Sequence, residues 1–268
     1  MKRRIVLWLY LATTLLPLVW LVLSSFKSTE EIFASPWSLP KSLRWGNYAQ
    51  GWVDAKLGSG ILNSTIVSVG ALLLILPLSA MAAYALARFR FRGSRLLLQV
   101  FCAQMMIPNF LVVIPLFLML SKVGLVDTKL GLILVYAAYS LSFTIFVLHG
   151  AFEALPTELE EASKLDGCSE GKTFTRVMLP LARPYLVIVG IFNLIGLWNE
   201  YQLALVLLQK ESNLTLPLNI AEMATNQQYT SNWGAMMAGM VLVMLPVLAV
   251  YWMFKDRIHQ AMLAGSVK

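Results

Sequence analysis

The sequence has few of the residues on which most enzymes and small secreted domains depend. Only two cysteines and two histidines occur among its 268 residues, and charged residues make up 13%. Cys102 lies in an apolar run and Cys168 in a polar loop, so their spacing fits neither a disulfide framework nor a zinc site. His149 ends an apolar run, where a lone histidine is more often solvated or capping than catalytic.

Common catalytic motifs are also missing. The sequence contains no G-x-x-x-x-G-K-[ST] phosphate loop, no H-E-x-x-H, no G-x-S-x-G and no pair of aspartates inside an apolar run. Ionisable residues distributed through several apolar runs, as a proton-coupled carrier needs, are absent too. The chain is therefore not expected to be an enzyme or to hold a cofactor or metal, and energy for any transport must come from another protein.

Apolar residues are abundant instead. They make up 58% of the chain, against roughly 45–50% in soluble globular proteins, and the mean hydropathy is +0.70. Each of six apolar runs is long enough to cross a hydrocarbon core of about 30 Å at about 1.5 Å per residue. The runs cover residues 5–23, 61–87, 96–120, 130–148, 185–208 and 233–254. We predict an all-α integral membrane protein with six transmembrane helices in a single transmembrane domain over residues 1–268.

Three details refine this prediction. The first run follows a basic N-terminus, as a signal peptide would, but it exceeds the usual apolar core of about 7–15 residues and no A-x-A site follows, which favours a retained span. Residues 26–60 form a polar, aromatic segment that is read as an external loop containing a short interfacial helix. Prolines inside the later runs favour a bundle that lines a path over a simple anchor: Pro77, Pro108, Pro115 and Pro246.

The lysines and arginines predict the orientation. With the N-terminus inside, 14 of the 21 basic residues lie on the inside and seven on the outside, so both termini are expected in the cytoplasm. The net charge of +7 is therefore attributed to topology and not to nucleic acid. The basic residues of 88–95 could bind anionic headgroups or a partner, although a topological anchor explains them more simply.

A polar segment over residues 153–184 has a helix–turn–helix pattern of its own. Thr157 and Glu160 have capping-box spacing, and Leu155, Leu159 and Ala162 recur at helical spacing. Asp166-Gly167 should end this helix, since glycine accepts a left-handed backbone. Ser169 is a candidate cap for a second helix with an apolar stripe that comprises Phe174, Val177, Met178 and Leu181. The first helix is expected outside the bilayer and to present four carboxylates: Glu158, Glu160, Glu161 and Asp166.

Three short motifs in this segment resemble the EAA loop of importer-type ABC permeases, whose pattern is EAA, then DGA, then I-x-L-P. They are Glu161-Ala162-Ser163, Asp166-Gly167-Cys168 and Val177-Met178-Leu179-Pro180. Ser163, Cys168 and Val177 depart from the pattern with small or isosteric side chains, which puts only fine packing in doubt. In that family the loop is a coupling helix that docks on the ATPase subunit. The resemblance implies the type I ABC importer permease fold and coupling residues at Glu160, Glu161, Ala162, Ser163, Asp166, Gly167, Leu179 and Pro180.

Polar residues in the fifth run form a candidate solute pathway. Glu200 is the sole charged residue in the six runs, and a carboxylate there should face a cavity or a partner. Asn193, Gly196 and Glu200 share one helical face, with Trp198 and Gln202 on the adjoining one. Amide, carboxylate and indole groups suit a sugar, whose hydroxyls need polar partners and whose C–H face packs on aromatic rings. These residues could equally hydrogen-bond to a neighbouring helix without touching a solute.

Further segments resemble carbohydrate permeases of the maltose-permease-like branch. They are Ser25-Phe26-Lys27, Asn47-Tyr48, residues 192–208 with Trp198-Asn199-Glu200, Thr215-Leu216-Pro217-Leu218, Asn232-Trp233-Gly234 and residues 265–268. The resemblance implies a permease of the cell membrane with four kinds of partner: membrane lipid, a second related permease, two ATPase subunits that carry ATP and magnesium, and an extracytoplasmic sugar-binding protein. An importer of glycerol phosphodiesters or of another polar solute stays open, as does a membrane-embedded enzyme or scaffold.

Overall fold

The computed structural model describes residues 2–230 and 232–266, and these residues form helices and loops without a strand. Residues 267 and 268 of the terminal motif at 265–268 lie outside the described residues. The helices are α1 (Lys2–Ser24), α2 (Thr29–Ala34), α3 (Gly46–Asp54), α4 (Leu57–Arg88), α5 (Ser94–Gln104), α6 (Asn109–Lys122), α7 (Lys129–Glu153), α8 (Glu158–Leu165), α9 (Glu170–Thr173), α10 (Leu179–Leu181), α11 (Arg183–Trp198), α12 (Gln202–Leu207), α13 (Leu216–Thr230) and α14 (Trp233–Ser266). A π-helix (Phe174–Met178) joins α9 to α10, and a 3₁₀ turn (Glu211–Asn213) precedes α13. The predicted all-α fold is confirmed.

Four of the described helices are long and apolar enough to cross a membrane on their own. They contain Arg4–Ser24, Leu57–Arg88, Lys129–Glu153 and Trp233–Asp256. Glu170–Leu181 and Arg183–Trp198 are long and apolar enough only as a pair, which is bent by 71° at the break and is counted here as a fifth candidate span. The five candidate spans therefore overlap five of the predicted apolar runs. The remaining run, 96–120, is divided.

The run at 96–120 is not the continuous helix that its composition predicts. Helix α5 ends at Gln104 and α6 begins at Asn109. Pro108 has no N–H to donate and disfavours helical backbone at the residue before it, so the chain breaks there. The run at 185–208 is also interrupted, although without a proline: α11 ends at Trp198 and α12 begins only at Gln202. Each of these two predicted runs therefore contains two helices in the structure.

The described chain divides into two compact units. The first unit comprises the described residues of 1–62 and 214–252, and the second those of 63–213 and 253–266. The expected external loop belongs to the first unit and contains two short helices, α2 and α3. Helix α4 begins at Leu57, four residues before the predicted span at 61.

Polar bonds organise the loop of the first unit. The ammonium of the fully buried Lys27 donates to the carbonyls of Ser35 (3.2 Å) and Pro36 (2.9 Å). Asn47 donates from Nδ2 to the carbonyls of Ser25 (2.8 Å) and Lys27 (2.9 Å). Because buried backbone carbonyls need donors, these bonds define the path of the chain between α1 and α3.

An aromatic cluster fills part of the core of the second unit. Tyr84 of α4 lies between three phenylalanine rings, at centroid distances of 5.7 Å to Phe89, 5.5 Å to Phe152 and 5.0 Å to Phe174. Phe152 and Met178 are fully buried beside them. The cluster thereby packs the C-terminal ends of α4 and α7 against the π-helix that follows α8 and α9.

Asp127 joins the turn before α7 to the segment after α12 within the second unit. It has a positive φ of 58° and a side chain that is 12% exposed. Its Oδ1 accepts the backbone N–H groups of Gln209 (3.0 Å) and Lys210 (2.9 Å), and its carbonyl accepts Nδ2 of Asn213 (2.7 Å). Burial alone would raise the pKa of the Asp127 carboxyl, but these donors outweigh it and hold the pKa below its usual value.

We expect Asp127→Ala to destabilise the protein by about 2 kcal/mol, because alanine loses the hydrogen bonds and fits the left-handed backbone poorly. Asp127→Asn is the matched control, since asparagine tolerates this backbone and keeps an acceptor. A carboxyl with a lowered folded pKa stabilises above its unfolded pKa of about 3.9 and loses that contribution as the pH falls through the folded pKa. Thermal unfolding in detergent at neutral and acid pH measures both effects, and equal midpoints for the two variants at neutral pH would contradict the assignment.

Candidate functional site

The turn after α8 has the geometry expected from Asp166-Gly167. Gly167 has a φ of +79°, and a side chain there would meet no other atom within 4 Å, so only the backbone conformation requires glycine. The N–H of Gly167 donates to the carbonyl of Lys164 (3.0 Å), and that of Cys168 to the carbonyl of Ser163 (3.0 Å). This is a Schellman motif, and the prediction that Gly167 ends the helix is confirmed.

The predicted capping box at the start of α8 does not form. Thr157 has helical backbone angles (φ −68°, ψ −28°) and its side chain makes no capping hydrogen bond. Glu160 turns away from the helix start, and its Oε1 lies 3.1 Å from Nε of Arg88. The side chain of Glu160 is only 13% exposed, so the prediction that it is presented outward was wrong. A charged partner 72 positions earlier in the chain outweighs a local cap.

Helix α8 buries polar side chains and exposes apolar ones beside its exposed charged residues. Glu160 and the buried Ser163 face the rest of the unit, where Oγ of Ser163 lies 2.9 Å from Oγ1 of Thr173. The apolar residues Leu159 and Ala162 are exposed, and Leu165 is 88% exposed. Burial of exposed leucine side chains against a partner is favourable, so these residues give the outer face the character of a docking surface.

The segment after the turn differs in detail from the predicted second helix. Ser169 occupies the N-cap position with extended backbone, but its side chain makes no capping bond. Lys164 reaches across the turn to Glu170 at 2.7 Å, and this hydrogen-bonded carboxylate raises the pKa of the lysine. The expected α-helical stripe runs through the π-helix into α10, and Met178 is buried while Leu181 is 43% exposed. The i→i+5 bonding of the π-helix shifts the apolar positions relative to an α-helix. Leu179 is partly buried and Pro180 exposed, in α10.

A cavity of about 420 Å³ lies within the second unit. Its lining combines aromatic rings with amide, hydroxyl and carboxylate groups. The lining residues are Gln104, Met105, Tyr139, Ser140, Phe143, Phe192, Asn193, Gly196, Leu197 and Glu200. They come from α7 and α11 and from beside the two breaks in the apolar runs, at 105–108 and 199–201. Helix breaks at membrane depth are tolerated where they line a cavity, and this arrangement is consistent with that rule.

Two of the predicted pathway residues also hold the local structure together. Glu200 accepts the hydroxyl of Tyr136 (2.5 Å) and the N–H groups of Leu203 (2.7 Å) and Ala204 (3.1 Å), so its carboxylate caps the start of α12. The buried Asn193 donates from Nδ2 to Oγ1 of Thr144 (2.9 Å). Both interpretations of this face therefore have support, because these side chains reach the cavity and also bond to neighbouring backbone or side chains.

The remaining pathway candidates lie outside the cavity lining. Asn199 and Gln202 are exposed and Trp198 is partly buried, and Asn199 donates to the carbonyl of Ile195 (2.8 Å) on its own helix. Sequence reasoning missed the contributions of α5 and α7, including Gln104, whose Oε1 is buried without a hydrogen-bond partner among the described residues. Pro108 is a sequence signal for the helix break beside Gln104. No local sequence signal indicates that this break and the one at 199–201 line the same cavity.

The comparison with protein families gives one clear match. Residues 75–263 match the family described as binding-protein-dependent transport system inner membrane component. This region contains α8, the turn at Gly167 and every residue that lines the cavity.

Individual relatives cover almost the whole chain. The chain is 43% identical over 259 residues to the diacetylchitobiose uptake system permease protein NgcG of Streptomyces coelicolor, covering 97% of this chain and 84% of the relative. It is 33% identical over 271 residues to the trehalose transport system permease protein SugB of Mycobacterium tuberculosis, covering 99% and 98%.

A solved structure agrees on the fold. One chain of a crystal structure of a bacterial ABC transporter involved in the import of the acidic polysaccharide alginate superposes with a TM-score of 0.81. The match covers 95% of this chain and 94% of that chain, at 24% identity, and therefore speaks for the fold alone. Family match, relatives and fold agree that the chain belongs to the family of binding-protein-dependent transport system inner membrane components and is a permease subunit of an ABC transporter.

Proposed function

We propose that this chain is the membrane-spanning subunit of an ATP-driven importer for a disaccharide or short oligosaccharide. The match of residues 75–263 to the permease family is the observation that carries the proposal. Its relatives include permeases for diacetylchitobiose, trehalose and, in Thermoanaerobacterium thermosulfurigenes, starch degradation products. These solutes share glycosidic bonds and many hydroxyl groups, which favours a glycan over a glycerol phosphodiester.

The energy for import comes from a separate ATPase that docks on α8. The exposed face with Leu159, Ala162 and Leu165 offers apolar area for this contact, and Glu161 and Asp166 add charge at its edge. Gly167 fixes the turn that orients the helix, while Glu160, Ser163, Leu179 and Pro180 contribute by holding α8 and the following segment in place. ATP and magnesium bind to the ATPase, and this chain holds no cofactor of its own.

The complete importer contains a second, related permease, two ATPase subunits and an extracytoplasmic binding protein. The segment 153–184 and both termini lie in the cytoplasm, an orientation that the distribution of lysine and arginine supports. Helix α8 then meets its ATPase on the side of the membrane where ATP is available. Movement of α8 opens and closes the spans around the solute by alternating access.

The cavity of the second unit forms part of the solute path. Its volume of about 420 Å³ lies within the ordinary range for small-molecule sites of about 300–1,000 Å³. Tyr139, Phe143 and Phe192 supply rings for the C–H face of a sugar, and Gln104 offers an unpartnered amide oxygen. Asn193, Gly196 and Glu200 line the same space, whereas Trp198, Asn199 and Gln202 adjoin it along the chain.

We expect Gly196→Leu to reduce solute uptake at least about tenfold, because the new side chain fills the cavity. A Cβ at Gly196 meets no atom within 4 Å, so folding should tolerate the substitution. Gly150→Leu is the matched control, since Gly150 is an exposed helical glycine with the same free space but lies outside the cavity lining. Transport by reconstituted complexes measures the effect, and equal rates for both variants would remove the cavity from the path.

A solute panel tests the proposed function directly. Deletion of the gene should abolish uptake of one radiolabelled member among chitobiose-, trehalose- and maltose-type sugars, and the intact chain should restore it. Purification of the tagged chain should bring an ATPase subunit along. Normal uptake of every sugar after deletion, together with lost uptake of a glycerol phosphodiester, would overturn the sugar assignment, and a chain that purifies without an ATPase would overturn the coupling.

A further inference from the structure

We propose that Arg88 is a positioning residue for energy coupling, which ties the end of a membrane span to the coupling helix α8. The inference rests on the proposed function, because it presumes that an ATPase acts on α8. The positive-inside rule explains the basic cluster at 88–95 as a whole, but it gives no specific role to any one of its arginines.

The contacts of Arg88 set it apart from the rest of that cluster. Its side chain is only 6% exposed, whereas Arg90, Arg92 and Arg95 are exposed. Nη2 donates to the carbonyl of Leu155 at 2.6 Å, and Nε lies 3.1 Å from Oε1 of Glu160. One guanidinium thus holds both the link that precedes α8 and the first turn of α8 itself.

The position of Arg88 in its helix makes these contacts mechanically relevant. It is the last residue of α4, a continuous helix of 32 residues. The cluster around Tyr84, Phe152 and Phe174 packs the same ends together, but its ring contacts do not pair a charge on one helix with a charge on the other. A mostly buried ion pair resists sliding, because separation of Arg88 from Glu160 would leave two buried charges unpaired. The hydrogen bond from Nη2 to the Leu155 carbonyl adds a directional contact. Displacement of α8 therefore carries the end of α4 with it as long as the pair is intact.

Arginine suits this role better than lysine. Its planar guanidinium offers donors on two edges, so that one side chain can satisfy a carbonyl and a carboxylate at once. A lysine would reach either acceptor as a single point charge. We therefore expect Arg88→Lys to fall between the wild type and Arg88→Gln in every coupling measurement.

The test compares transport with ATP hydrolysis in the complete transporter, reconstituted in proteoliposomes with its own ATPase and binding protein. We expect Arg88→Gln complexes to hydrolyse ATP while the amount of solute moved per ATP falls at least about fivefold, the lower end of typical coupling between sites. Arg90→Gln is the matched control, because it removes an exposed arginine of the same cluster and should keep the wild-type ratio. The double variant Arg88→Glu with Glu160→Arg restores the ion pair but not the donor to the Leu155 carbonyl, and it should recover a large part of the ratio.

Each result decides the inference. A wild-type ratio for Arg88→Gln in assembled complexes overturns it and leaves the proposed function intact, whereas a wild-type transporter whose hydrolysis is not linked to solute movement overturns the proposed function. If Arg88→Gln does not assemble, the double variant decides: recovery of assembly and of the ratio supports the positioning role. Recovery of assembly alone, or of neither, overturns it.

Discussion

Glu161→Lys is expected to abolish solute uptake while the chain still inserts into the membrane. Glu161 is exposed in the first turn of α8, beside the exposed apolar face. A charge complementary to this acidic turn is expected on the ATPase, and opposing like charges at an interface cost several kcal/mol, which at about 3 kcal/mol is a factor of about a hundred in affinity. Reversal also opposes the dipole of α8, but that effect on the helix itself is only about 0.3–1 kcal/mol.

Co-purification of the ATPase with the tagged variant measures the loss of docking, and membrane fractionation measures insertion. Glu153→Lys is the matched control, because Glu153 ends α7 with a side chain that is 71% exposed and lies outside α8. Uptake at the wild-type rate by Glu161→Lys, with the ATPase still bound, would show that α8 is not where the ATPase acts. Gly167→Pro should give a similar loss, since proline cannot adopt the φ of +79° found there.

Gly234→Ala is expected to destabilise the first unit by about 3 kcal/mol or more. Gly234 lies in the first turn of α14, and an added Cβ would come within 2.4 Å of the carbonyl oxygen of Lys27 and 2.6 Å of Nδ2 of Asn47. Neither atom can move freely, because Asn47 holds the carbonyls of both Ser25 and Lys27. Overpacking of this kind usually costs about 1–3 kcal/mol, and backbone on one side leaves little room for relaxation.

The midpoint of thermal unfolding in detergent, together with the yield of folded protein, measures this effect. Gly239→Ala is the matched control on the same helix, because a Cβ there meets its nearest neighbour, Sδ of Met223, at an ordinary 3.5 Å. Equal midpoints for the two variants would mean that the path of the chain at residues 25–27 is not held against α14.

The sequence predicts the helical membrane fold well, because a long apolar run has few other stable structures. It also predicts the stop at Gly167, since the glycine requirement there is a property of the local backbone. Long-range interactions account for the errors. The capping box of Thr157 does not form because Glu160 pairs with Arg88 instead. The spacing of residues 157–160 gives no information about an arginine in another helix.

The candidate pathway was only partly predictable for the same reason. Asn193, Gly196 and Glu200 follow from helical periodicity and from the cost of a carboxylate in a membrane. Tyr139 and Gln104 come from other helices. Their approach to α11 depends on how the tertiary fold brings the helix breaks at 105–108 and 199–201 to the same cavity. The partnership of Glu200 with the N–H groups of α12 was likewise hidden, because it depends on where α11 stops.

The polar inner side and the partly apolar outer side of α8 respond differently to rotation of the helix. On the inner side, the Ser163–Thr173 hydrogen bond and the Arg88–Glu160 ion pair require short distances, so rotation of α8 about its own axis would break both. On the outer side, leucine and alanine side chains make contacts that change little with angle. A subunit docked on that side would therefore keep its apolar contacts during small rotations, and we expect a translation or tilt of the helix to be the motion that is passed on.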